Sequence, residues 1–170
     1  LFSNIALGIF MVAFSWLTVK NYGALGVSMV TFGYAGPQIA LVLFGGLASD
    51  SVNKQTLYRV CQLLFFIGGL VLTFVSMNTA PPLWLLVSLS IANGSIVAFS
   101  VPAQTSLLST VVQPSEITKT QQIFYLSSGL GWILGPIIAG HILPIQSFIF
   151  SNAHGALAFS IYTIFLLPVI

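Results

Sequence analysis

At 170 residues, 57% of them hydrophobic and only 4% charged, the chain lacks the polar surface that a water-soluble domain needs, since such domains carry roughly a quarter charged residues. Four basic and two acidic side chains leave a net charge of +2 and form no basic stripe, which excludes nucleic acid as a partner. Cys61 is the only cysteine, so an internal disulfide and a cysteine-built metal cluster are excluded; no metal site and no cofactor are expected. What remains is an all-α membrane protein that crosses the bilayer several times.

A spanning helix needs about 20 mostly apolar residues. Six segments qualify, at approximately 2–19, 26–49, 56–77, 83–101, 121–143 and 148–170. The first has the length of a signal-peptide core but no basic n-region and no small-residue cleavage site, so it reads as a span. Lys20-Asn21-Tyr22-Gly23 is a turn, and Asn78-Thr79-Ala80-Pro81-Pro82 pairs a breaker with a proline start for the fourth helix. Pro102 ends or kinks that helix, and residues 104–110 carry hydroxyls and an amide suited to the interface. Ser115 is the expected N-cap of the fifth helix, with Glu116 complementing its dipole. Pro144-Ile145-Gln146-Ser147 separates the last two spans. The chain opens at Leu1 and closes on apolar sequence to Ile170, and both ends read as cut.

Between the second and third spans lies a polar knot, Gly45-Gly46-Leu47-Ala48-Ser49-Asp50-Ser51-Val52-Asn53-Lys54. Its glycines allow close backbone approach at the membrane edge. Asp50 can accept from amides at a helix N-terminus; made in one conformation and broken in another, that contact is a latch. The basic residues set orientation. Lys54, Arg59 and Lys119 fall on one side and Lys20 on the other, which puts the Asp50 loop and both chain ends in the cytoplasm. Spans one to three and four to six form two three-helix sets, the second inverted. Inverted repeats are a transporter device, although a channel or an intramembrane enzyme of six helices shows the same count.

In the fifth span Ser127, Gly131, Gly135 and Ala139 recur every four residues on one face, followed by Pro136 and Gly140 within the same stretch. Small residues there let another helix come close where lipid supplies no hydrophobic drive.

Gly46-x-x-x-Asp50-x-x-x-Lys54 resembles the loop motif that joins the second and third helices in the major facilitator superfamily. Ser127 through Gly140 is similar to that superfamily's fifth-helix Gly-Pro motif, associated with exporters. Pro102-Ala103-x-x-Ser106-Leu107-Leu108 resembles the segment after helix four in its enterobactin-exporter-like and macrolide-efflux-like branch. There are departures: Ser51 stands where the family has Arg, Asn53 where it has Gly, and Ala139-Gly140 replaces Gly-Gly. The resemblance implies a six-transmembrane-helix bundle, the N-terminal half of a twelve-helix fold whose C-terminal half is missing from this chain. It further implies a small-molecule substrate in a membrane setting, alternating access, and a bacterial inner membrane as the home.

In that family helices one and four line a central cavity, helped by two and five. The matching positions are Asn4, Ser15, Tyr34, Gln38, Asn93, Ser95, Tyr125 and Ser128. Asn93 has a second reading, an interhelical hydrogen bond to a serine. A cavity this poor in charge suits amphipathic, siderophore-like or drug-like cargo. No Asp, Glu, Lys or Arg lies deep in a span, and intramembrane charges are what usually carry ions. Only His141 and His154 could titrate there; His141, beside the glycine motif, is the candidate for proton coupling.

Two rivals remain. Asn93-Gly94-Ser95 and His154-Gly155 permit comparison with rhomboid-type serine proteases. Ser95 would however lie about 18 Å into its helix and His154 about 9 Å into the other, measured from the same side. A lipid flippase or a non-transporting scaffold on the same fold is the other rival, since a fold does not fix its cargo.

Overall fold

The computed structural model describes residues 2–78, 81–111, 113, 116–149 and 156–166. Over these residues the chain is all-helical, in five elements: α1 (Phe2–Ser51), α2 (Lys54–Asn78), α3 (Leu83–Val111), α4 (Ile117–Ile149) and α5 (Ala156–Leu166). The first four are long and apolar enough to cross a membrane, and α5 is a shorter apolar helix.

Five helices stand where six spans were expected, because the first two expected spans form the single element α1. The expected four-residue turn shrinks to one residue. Gly23 has φ 65° and ψ −158°, a region open essentially to glycine alone. The chain reverses there. Gly26 lies against Thr18, Phe14 shares a wall with Val30, and Phe10 shares one with Tyr34. Each pair steps equally away from the bend, which defines two antiparallel limbs, 2–22 and 24–51. A straight helix would hold Phe10 and Tyr34 about 36 Å apart.

The first limb is the axis of the bundle. Ile9, Ala13 and Leu17 on it are wholly buried. Phe10 stacks on Phe14 at 5.0 Å between ring centres and meets Tyr162 of α5 at the same distance. The Tyr162 hydroxyl donates to the Phe65 carbonyl of α2 at 3.1 Å. One aromatic cluster thus ties together the first limb, α2 and α5, and the buried hydroxyl has the partner it needs in an apolar setting.

The second limb packs on α3 through small residues. A Cβ at Gly33 would stand 2.6 Å from Ser90 Oγ, and one at Gly94 would run into the Tyr34 carbonyl. Gly45 meets the carbonyl of Ala98 in the same way. That carbonyl lost its helical donor to Pro102, four residues on, yet α3 continues through Pro102 to Val111. Of the two expectations at Pro102, an end or a kink, the end is overturned, and residues 104–110 belong to α3. Gly45, having no side chain, fits over the exposed carbonyl.

Two further expectations change. α4 runs on through 144–147, where a separating loop was expected, so the sixth span is described only as its 148–149 start and as α5. Ser115 lies outside the described residues. Facing outward are large apolar side chains such as Phe32, 79% exposed, and Leu43, 77% exposed. Such a surface is stable against lipid and not against water.

Candidate functional site

An internal cavity opens among α1, α2, α3 and α4. Its larger lobe, about 120 Å³, is walled by Asn4, Phe10, Gln62, Phe65, Asn93 and Trp132 among others. A second lobe of about 70 Å³ shares Phe10, Met11, Tyr34 and Asn93 with it and adds Ser15 and Thr31. No charged side chain lines either lobe among the described residues. Polar contact comes from neutral amides and hydroxyls, with aromatic rings between them. This is the usual make-up of a small-molecule pocket: apolar walls and a few fixed polar groups.

Helix geometry explains the lining. Asn4, Leu7 and Met11 follow at i, i+3 and i+7 on the first limb, and Asn93, Val97, Ser100 and Gln104 do so on α3 at similar steps, each set making one helical face. Asn93 is buried, and its amide nitrogen donates to the Leu89 carbonyl at 2.9 Å. Its bond therefore stays within its own helix and does not reach a serine on another. Asn4 Nδ2 donates to Ser128 Oγ of α4 at 3.0 Å, so two expected cavity residues hold each other, and Asn4 is the one that also lines the cavity.

Of the eight expected cavity residues, Asn4, Ser15, Tyr34 and Asn93 line the two lobes. Gln38 and Ser95 are not among the lining residues, and the Ser95 hydroxyl donates to the Ile91 carbonyl at 2.9 Å. Tyr125 is 63% exposed and borders a separate recess with Thr105, Leu108 and Gln121. For the protease reading, the Ser95 hydroxyl is engaged with its own helix, and His154 lies outside the described residues.

Gln62 was missed. It is 2% exposed, lines the larger lobe, and donates from Nε2 to Ser3 Oγ at 3.4 Å. The Tyr58 hydroxyl, one turn earlier on α2, also hydrogen-bonds with the Gln62 side chain. The available signal was an amide in the middle of the third apolar run, where an unpaired polar group is costly. Ser100 and Trp132 also lie outside the expected cavity set, and Gln104 lines the cavity where its amide was expected at the interface.

The glycine face of α4 meets the first limb of α1. A Cβ at Gly131 would lie 2.6 Å from Asn4 Cβ, and one at Gly135 would lie 2.7 Å from Gly8 Cα and the Ile5 carbonyl. Pro136 borders Gly8 from the same side, Ala139 is wholly buried, and Ser127 is half-buried. Gly140 faces open space.

At the polar knot, Gly45 is buried against α3, while Gly46 has nothing near it. Asn53, noted as a departure from the family pattern, caps α2: its Oδ1 accepts from the amides of Gln55 at 3.0 Å and Thr56 at 3.3 Å. An amide oxygen at that position satisfies two of the orphan donors of a helix start. Lys54 opens α2. The Asp50 side chain lies outside the described part of the structure. His141 is exposed on α4, away from the cavity, with Nδ1 2.8 Å from the Ile137 carbonyl, so the proton of the neutral ring sits on Nδ1.

No curated protein matches the chain, and no solved structure does. The sequence model of the Major Facilitator Superfamily matches it over residues 1–170. With apolar crossing helices around a neutral cavity and a match along the whole length, the chain belongs to the major facilitator superfamily, as an integral, multi-pass membrane transporter.

Proposed function

We propose that the protein is a secondary exporter working by alternating access, and that its cargo is a small, uncharged amphipathic molecule of siderophore-like or drug-like character. The observation that carries this reading is the uncharged cavity itself, in which amides from α1, α2 and α3 face aromatic rings. A charged cargo would leave its charge unpaired there, at a cost of several kcal/mol or more. A neutral molecule with one polar end pays no such penalty.

In this reading the chain is one six-helix half of two, built from inverted three-helix repeats. The Asp50 loop and both ends face the cytoplasm of a bacterial inner membrane. The small-residue contact of α4 with the first limb is where the bundle rocks, and Asp50 with Lys54 helps hold the cytoplasmic side shut. His141 is the proton carrier that couples transport to a gradient.

The test is uptake into inside-out vesicles from cells making the full-length protein, energised by a proton gradient. Neutral amphipathic dyes should accumulate, and a permanently charged analogue of equal size should not. Accumulation of both to the same extent would overturn the substrate class, and accumulation of neither would overturn the exporter.

A further inference from the structure

The two lobes of the cavity share four residues, Phe10, Met11, Tyr34 and Asn93. These stand at one level of the bundle. Phe10 and Tyr34 meet the cavity from the two limbs of α1, and Gly94, next to Asn93, lies against the Tyr34 carbonyl. From that level the larger lobe extends to Ser3 and Gln104, and the smaller one to Ser15 and Ser90. The shared residues form a waist between them. Three of the four are fixed in place. Phe10 is buried and held by Phe14 and Tyr162, each at 5.0 Å between ring centres. Asn93 is buried with its amide tied to the Leu89 carbonyl at 2.9 Å, and Tyr34 packs against the buried core. Met11 differs. It is half-buried and belongs neither to that core nor to the side chains packed on it. Its side chain is unbranched, with three rotatable bonds, and yields where its neighbours cannot.

Size gives that freedom a consequence. The lobes measure about 120 and 70 Å³, and a cavity of about 150 Å³ holds one benzene ring. A compact guest one ring across is near the size of the larger lobe, whereas a longer guest has to cross the waist. We propose that Met11 is a specificity-determining residue: a movable partition that holds compact neutral cargo in the lobe walled by Phe65 and Trp132, and that elongated cargo must push aside. The inference rests on the cavity being the substrate site, as proposed above, and it names the shape that the site selects.

Trp132, on the wall of the larger lobe, reports occupancy. In the full-length protein in detergent, 4-bromobenzyl alcohol and 3-(4-bromophenyl)prop-2-yn-1-ol are compared as heavy-atom quenchers. The Trp132 signal is the part of the fluorescence that Trp132→Phe removes. Both guests are neutral alcohols, and the second is longer by a rigid carbon–carbon triple bond. Each guest is compared with itself across variants, so its partition into the micelle cancels. Met11→Ala should tighten the longer guest about tenfold and leave the shorter within about twofold, the scale of a methylene-sized change in an apolar pocket. Met11→Ile, close in volume but stiff at χ1, should weaken the longer guest and spare the shorter.

An unchanged longer guest in Met11→Ala, or equal tightening of both guests, overturns the partition. Unchanged binding of the longer guest in Met11→Ile overturns its mobility. Unsaturable quenching in the native protein, as simple micelle partition gives, overturns the proposal as well. Because Met11 stands off the core, the thermal midpoints of both variants should stay near the native one. A fall in both, with loss of the shorter guest, would make the residue a structural element and sink the assignment. These measurements need no gradient. Vesicle uptake without the Met11 pattern defeats the partition alone, and the Met11 pattern without uptake defeats the exporter alone.

Discussion

At Gly23 one residue carries the reversal between the two limbs of α1, and it does so with a backbone that a side chain disfavours. A Cβ there would meet nothing within 4 Å, so space is not the issue; conformation is. Gly23→Ala should therefore cost about 1–3 kcal/mol through backbone strain alone. Lower folded yield and a lower thermal midpoint would show it, whereas an unchanged midpoint would mean the reversal tolerates another conformation. Asn53 gives the opposite lesson. A residue that departs from the motif at the loop is a helix cap in the structure, and its two amide contacts supply the local reason for its presence. His141 tests the coupling proposal: His141→Ala should abolish pH-driven transport in liposomes. Unchanged pH dependence removes it as the carrier.

Among the elements, the decisive contact is α4 against the first limb. The four-residue spacing of Ser127, Gly131, Gly135 and Ala139 already implied a thin face, but it named no partner. The structure supplies Asn4, Ile5 and Gly8 as the opposing surface. Gly135→Leu places a branched side chain where even a methyl would stand 2.7 Å from Gly8 Cα. Overpacking of this kind costs about 1–3 kcal/mol. If the contact slides during transport, the variant should insert at normal levels and lose most of its transport rate. Equal loss of protein and of transport would make the contact structural only. Prolines were the least legible feature at this scale. The 144–147 stretch reads as a break and Pro102 as an end or a kink, yet α3 and α4 pass through both. In a bundle, the neighbouring helix can accommodate the freed carbonyl, as Gly45 does at Ala98.

For the whole molecule, orientation is the claim with the widest consequences, because the cytoplasmic latch depends on it. With Cys61 replaced by serine, a cysteine at Asn53→Cys should stay unlabelled by an impermeant maleimide added to intact cells and become labelled after permeabilisation. Labelling from outside would invert the map and remove the latch with it. Asn53 is exposed at the junction of α1 and α2, so lack of reaction would not come from burial.

Composition determined that this chain lives in lipid, because so few charges cannot clothe a water-facing surface. Apolar runs of about 20 residues determined that it is helical, since a bilayer makes each spanning segment satisfy its own backbone. Periodicity along α4 determined that some helix must approach it closely. Which residues share the cavity was decided only in three dimensions. Asn4 and Asn93 stand far apart in the chain yet line one cavity, because the first limb of α1 and α3 both border it, while Tyr125, equally polar, is turned to the outside. Gln62 shows the same limit from the other side: a lone amide in an apolar run marks a place that needs a partner, but only the packing of α1 on α2 shows which side chains, Ser3 and Tyr58, come within its reach.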